Sequence, residues 1–218
     1  MKKLTWIGLG LIGTLTACKS ASNNALPILG TRTAVLKTVN GKQVTDTVYH
    51  TIPAFKFVNQ YGDSITDKSL NGKIYVADFF FTSCPSICPV MHRNMLTVYN
   101  EFKTVADFRI LSHSIDPKYD SVRVLKTYAD KLGVSGNTWW FLQGKKDDTY
   151  ELADSYLVRR PEEDKSAPGN YIHDGYFILV DKQKHIRGAY SGVDPQEVNK
   201  MIADIKTLQA EPDQSMAQ

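Results

Sequence analysis

Two cysteines four residues apart, Cys84 and Cys88, each followed by a proline, are the residues of this chain best suited to chemistry. A pair at this spacing in a turn can put both sulfurs on one metal ion. It can equally bring them together as a disulfide, within the ~4.4–6.8 Å Cα separation such a bond tolerates. A bridge closing so short a loop would restrict the unfolded chain little, so stability is a weak reason to keep the pair and reactivity a better one. The bland alternative is two buried structural cysteines. Asp78 lies six positions before Cys84 on the face shared by Ile74, Val76 and Phe80. There it is a candidate buried acid, able to accept or give protons during disulfide exchange. An acid at a solvated sheet margin is the competing reading.

The elements that must hold this loop are legible around it. Ile74 to Phe81 is β-branched or aromatic at most positions and reads as a buried central strand. Val90, Met91, Met95, Leu96, Val98, Tyr99 and Phe102 follow helical spacing. The thiols therefore fall where a strand turns into a helix. Pro89 suits the first helical position, which makes Cys88 the expected N-cap. Unpaired N–H groups and the helix dipole then favour thiolate there.

Further strands are expected over 108–115 and 139–142, and helices over 121–132, near 147–156 and over 195–208. Gly133 stops the first of these and Asp194 opens the last. Residues 175–180 and 185–190 read as a hairpin, 159–170 as a polar solvent loop, and 46–57 as an entry strand and turn. This alternation predicts an α/β fold, a mixed central sheet flanked by helices.

The N-terminus specifies a compartment. Met1-Lys2-Lys3 is basic, and Leu4 to Thr16 is apolar but too short to span a bilayer. Its ending, Leu15-Thr16-Ala17-Cys18, resembles the lipobox of bacterial lipoproteins, with lipid expected on Cys18; an uncleaved anchor is the alternative. The expected organisation is a signal peptide over 1–17, the lipidated cysteine and tether over 18–45, a single domain over 46–209 and a tail over 210–218. The domain would be exported to the cell envelope, on the periplasmic face, and held to the membrane. A tether from Lys19 to Ile28, with a reach near ~17 Å, would keep the cysteine loop close to the bilayer. Formal charge is +3 and falls to +1 without Lys2 and Lys3, a balance that gives no argument for nucleic acid. With Cys18 lipidated, only Cys84 and Cys88 remain among the three cysteines of the chain.

Phe81-Thr82-Ser83-Cys84-Pro85, with Cys88-Pro89, resembles the signature of the SCO/SenC family, copper-binding proteins of thioredoxin-like fold. The resemblance extends to Ser114-Ile115-Asp116-Pro117, to Trp140, Leu142 and Gly144, to His173, and to Gly188 and Tyr190. It implies metal ligation by Cys84, Cys88 and His173, one copper per chain as Cu(I) or Cu(II). The implied partner is the copper-bearing subunit of cytochrome c oxidase, with a thioredoxin-like reductant as a further partner. Two departures stand out: Ser121-Val122 follows Asp120, and Asp174 follows His173, placing an extra charge beside the implied site.

The donor chemistry agrees with copper. Two thiolates and an imidazole form a soft, low-coordinate set suited to Cu(I). Structural zinc wants a fourth protein ligand. Spacing alone leaves the histidine open: His92 sits one helical turn past Cys88, and it and His173 stand level. The family resemblance selects His173. His113 reads as a satisfied core histidine, His50 and His185 as surface positions, and Met91 and Met95 as packing residues. Asp116 and Asp120 either modulate the site mouth or cap the helix after Pro117. A metallochaperone, a thiol-disulfide oxidoreductase and a peroxidase-like or structural domain all remain in view. The three-residue spacing of the cysteines and the added histidine favour the first.

Overall fold

The computed structural model describes residues 25–211. The expected signal peptide and Cys18 lie outside these residues. Eleven strands and four α-helices follow in chain order. They are β1 (Arg32–Val39), β2 (Lys42–Tyr49), β3 (Lys56–Asn59), β4 (Ser64–Thr66), β5 (Ile74–Phe80), α1 (Cys88–Phe102), β6 (Phe108–Ser114) and α2 (Val122–Leu132). The remainder are β7 (Trp139–Gln143), α3 (Lys146–Ser155), β8 (Glu162–Glu163), β9 (Tyr171–Ile172), β10 (Tyr176–Val180), β11 (Ile186–Ser191) and α4 (Pro195–Ala210).

Seven strands form one mixed sheet in the order β11-β10-β5-β6-β7-β3-β4. β5, β6 and β7 are parallel, and the flanking pairs are antiparallel. Helices cover both faces of β5, which is why every one of its residues is buried and its sequence runs apolar rather than alternating. On the Asp78 and Phe80 face lie α1 and α2, through His92 and Tyr128, together with α4, which packs on α1. On the opposite face, Tyr75 and Phe79 meet Tyr156 at the end of α3. This is the mixed sheet and two-sided helical cover of a thioredoxin-like fold.

The helix ends follow local chemistry. Ser121 accepts from the Val124 N–H to start α2, and Gly133 ends it in the left-handed region at φ 72°. Asp194 accepts from the Gln196 N–H at the start of α4. At α1 the expectation is off by one residue. The Ile87 carbonyl already accepts from Val90 and Met91, so Ile87 is the N-cap, Cys88 the first helical residue and Pro89 the second. Cys88 stays within the first turn, where the dipole acts.

The segment expected as tether is built differently. β1 and β2 pair over their full length as a hairpin outside the main sheet. Asn40 (φ 51°) and Gly41 (φ 74°) make its turn, an Asn-Gly signature flanked by alternating residues that the sequence reading passed over. Before it, Leu29 pairs with Ile186. The loop at 159–170 also carries structure, since β8 pairs with β9.

Chain entry and cysteine loop lie at opposite ends of the sheet. The β10–β11 turn that receives Leu29 stands beside the start of β5, with Val180 paired to Tyr75, whereas the cysteines follow its end. A short tether therefore does not by itself bring the loop near a membrane.

Candidate metal centre

β5 ends at Phe80, and the carbonyl of the next residue, Phe81, accepts from the Cys84 N–H, closing a turn that leads into α1. The connection between β9 and β10 carries His173 over both cysteines. Its Nε2 lies 4.0 Å from Cys84 Sγ and 3.8 Å from Cys88 Sγ. Among the described residues this is the one group of three or more Cys, His, Asp or Glu donors whose ligand atoms converge, all within 4.8 Å of one another. Both cysteines are unbridged and buried, and His173 is half-buried.

Hydrogen bonding fixes the histidine tautomer. His173 Nδ1 lies 3.2 Å from the Asp174 carbonyl, which can only accept, so Nδ1 carries the proton. Nε2 then keeps a lone pair facing the sulfurs, the form in which imidazole ligates metals. The ring stands edge-on to Phe81 at 5.6 Å. Gly169 allows the covering loop to approach. At φ 73°, a Cβ there would fall 2.7 Å from the Phe81 ring.

The two thiols are electrostatically unequal. Interaction with the neighbouring Cys88 thiol holds the Cys84 pKa well below the ordinary thiol range, against the effect of burial. The Cys84 sulfur and burial push Cys88 well above that range, the reverse of the thiolate expected there from the helix dipole. The two sulfurs are thus biased in opposite directions, Cys84 toward thiolate and Cys88 toward thiol. Ser86 Oγ, 3.6 Å from Cys84 Sγ, adds a further partner.

The other sequence candidates are placed elsewhere. His92 is fully buried, with Nε2 3.2 Å from Asp78 Oδ2 and Nδ1 2.8 Å from Tyr128 Oη. Both nitrogens are occupied, so it is a structural residue. Asp78 is buried behind the loop, its second oxygen accepting from Ser112 Oγ at 2.5 Å, and Ser112 in turn accepts from Trp139 Nε1. Met91 and Met95 are core packing residues.

His113 corrects an expectation. It is buried among Phe55, Phe57, Phe79 and Tyr156, but neither ring nitrogen has a partner. Burial alone lowers its pKa to about 3, so the ring is neutral. His50 and His185 are likewise not plain surface residues. His50 Nε2 donates to the Ser155 carbonyl, and His185 sits beside Asp181.

Asp120 neither caps α2 nor faces the sulfurs. It accepts from the Thr82 N–H and hydroxyl and from Ser114 Oγ, tying the cysteine loop to the end of β6. Burial nevertheless holds its pKa above the usual carboxylate value. Asp116 accepts from the Tyr119 N–H. Asp174 turns its carboxylate to the Arg159 N–H, so the extra charge expected beside the site is engaged in the covering loop. Sequence reasoning gave no site role to Thr82, Ser86, Ser114 or Tyr128; Thr82 and Ser114 entered only as letters of the family signature.

This constellation matches known proteins. Residues 43–210 match the SCO1/SenC family. The chain belongs to that family. A SCO1/SenC family lipoprotein from Bacillus anthracis is 30% identical, with 73% of this chain and 95% of that one covered at a TM-score of 0.67. BsSco, a member of the Sco family of cytochrome c oxidase assembly proteins in which a disulfide switch has been identified, is also 30% identical, covering 75% and 95% at 0.65. Yeast Sco1 with copper bound shares the fold at 24% identity, covering 77% and 94% at 0.60.

Proposed function

We propose that this SCO1/SenC protein takes copper as its cargo through Cys84, Cys88 and His173, one ion per chain. In this reading it delivers that ion to the copper-bearing CuA site of cytochrome c oxidase. The observation that carries the proposal is the convergence of two sulfurs and a proton-free imidazole nitrogen, with no fourth protein donor among the described residues. Such a set suits Cu(I) and leaves a structural zinc ion short of a ligand. The copper-bound state of a relative of the same fold supports the choice of metal. Both thiols must lose their protons to bind.

A second reading rests on the unequal thiols. Cys84 thiolate attacks a partner disulfide, forming a mixed disulfide and releasing one partner thiolate. Cys88 then gives up its proton and attacks Cys84 sulfur, leaving a Cys84–Cys88 bridge and a reduced partner. Asp78, buried behind the loop and hydrogen-bonded to His92 and Ser112, is assigned in this reading as the proton relay. A thioredoxin-like reductant would regenerate the dithiol. The disulfide switch of BsSco favours keeping this reading beside the first.

The work is assigned to the envelope, with lipid on Cys18 as anchor. The kinship with a bacterial lipoprotein supports this, and no helix among the described residues is long and apolar enough to cross a membrane. Titration of the reduced protein with Cu(I) under native mass spectrometry is the test. One bound copper is expected, lost in Cys84→Ala and in the oxidised protein. An oxidised sample with unchanged affinity would overturn the site.

A further inference from the structure

The β1–β2 hairpin stands apart from the seven-stranded sheet, and nearly all its side chains are exposed. A lone two-stranded hairpin is marginal in water and is normally completed by something packed on it. Its register shows what is left uncovered. Thr33 faces Val48, Val35 faces Asp46, Lys37 faces Val44 and Val39 faces Lys42. Because directly opposed residues share a face, Val48, Val35, Val44 and Val39 zigzag along a single side as an apolar stripe. Leu36, 73% exposed, lies on the other side. Thr33, Asp46, Lys37 and Lys42 alternate with the valines on that same side, Lys37 paired to Asp46 at 2.6 Å, and Arg32 lies on the other side.

A face on which valines alternate with lysines suits the headgroup layer of an anionic bilayer, where valines enter the acyl boundary and lysines meet lipid charge. The position of the hairpin selects the bilayer over other occupants. The chain enters the domain at Leu26 and Pro27, whose carbonyls accept from Arg187, and the hairpin begins six residues after Leu26. Residues 1–24, basic and then apolar, precede this point. With lipid on Cys18, the eight residues to Leu26 span at most ~28 Å. Each strand of the hairpin is itself ~27 Å long, so the stripe is held within reach of the surface that holds the anchor.

We propose that the β1–β2 hairpin is a membrane-contact element that seats its valine stripe in anionic lipid headgroups. The proposal rests on the anchor reading given above. Its test reconstitutes the full chain in vesicles of phosphatidylcholine alone or mixed equally with phosphatidylglycerol. Vesicle flotation reads the anchor, and amide hydrogen exchange of residues 32–49 in the floated fraction reads the hairpin. Exchange about tenfold or more slower on the mixed vesicles is expected. The double change Val39→Glu and Val44→Glu, at exposed positions, should restore fast exchange without loss of flotation. Wild-type protein that floats but exchanges its hairpin equally fast on both vesicles overturns the proposal alone. Protection that follows protein density rather than lipid charge means pairing with a second copy, and also overturns it. Cys18→Ser protein that still floats overturns the anchor reading instead.

Discussion

The two ends of the central sheet handle buried polar groups in opposite ways. Where the chain enters, Arg187 uses all five N–H donors. Nε donates to the Pro27 carbonyl, one terminal nitrogen to Asp181 and Glu211, and the other to Glu211 and the Leu26 carbonyl, at 2.7–3.2 Å. At the cysteine end, the His173 Nε2 lone pair faces the two sulfurs at 4.0 and 3.8 Å, three donor atoms with capacity left for a further partner. A saturated cluster has no capacity left for a ligand and serves to hold the fold. An unsaturated one is poorly bonded by itself and gains by taking something in. The same contrast separates His92, with both nitrogens occupied, from His173.

The largest break of this contrast exchanges the two phenotypes. Cys88→Ser should lower Cu(I) affinity by more than about a hundredfold, a loss of at least ~2.7 kcal/mol, with the unfolding midpoint nearly unchanged. Arg187→Met should do the reverse. Removing one partner from a buried ion cluster costs about 3–5 kcal/mol of stability, and copper affinity should hold. Chelator competition and urea unfolding of both variants decide the matter, and loss of both properties in either variant would erase the distinction.

A finer cut compares the histidines. His173→Ala should weaken copper binding by about tenfold or more, ~1.4 kcal/mol, and leave stability intact. His92→Leu leaves the buried Asp78 short of a partner and should cost ~1–3 kcal/mol of stability with no change in affinity. The opposite pattern would make His92 the ligand.

The smallest effect concerns the thiols themselves. Cys84 is held as thiolate well below the ordinary range by the Cys88 thiol. Its alkylation by iodoacetamide should therefore be nearly flat from pH 6 to 8. A thiol of ordinary pKa would speed up roughly seventyfold over that interval. Sign follows from the cause: Cys88→Ala removes the donor, so the pKa of Cys84 rises and the pH dependence returns. Mass spectrometry of the alkylated peptide reads both.

What the sequence made legible was local. Ile74 to Phe81 announces itself because a strand buried on both faces has no polar alternation, and Ser121, Gly133 and Asp194 mark helix ends through bonds to their own neighbours. The cysteines were legible for the same reason. The histidine that converges on them was not, since spacing sees one helical turn and His173 stands 85 positions from Cys88. Nor could spacing show that His92 is spent on Tyr128, a residue of another helix. Arg187 reads as an ordinary strand cation until Leu26, 161 positions away, is folded against it. The family resemblance supplied what local pattern lacked at His173, and had nothing to offer at Asn40-Gly41.

The Arg187 cluster also has a mechanical meaning. A pull on the chain ahead of Leu26 meets first the guanidinium, then Asp181 in the β10–β11 turn and Glu211 at the end of α4. The load thus enters beside the start of β5, about 20 Å from the cysteine turn at its far end. Thermal tugging on whatever precedes Leu26 is absorbed there as strain in a rigid ion cluster. The convergence of Cys84, Cys88 and His173, which the proposed copper site would need held closely, lies off that load path.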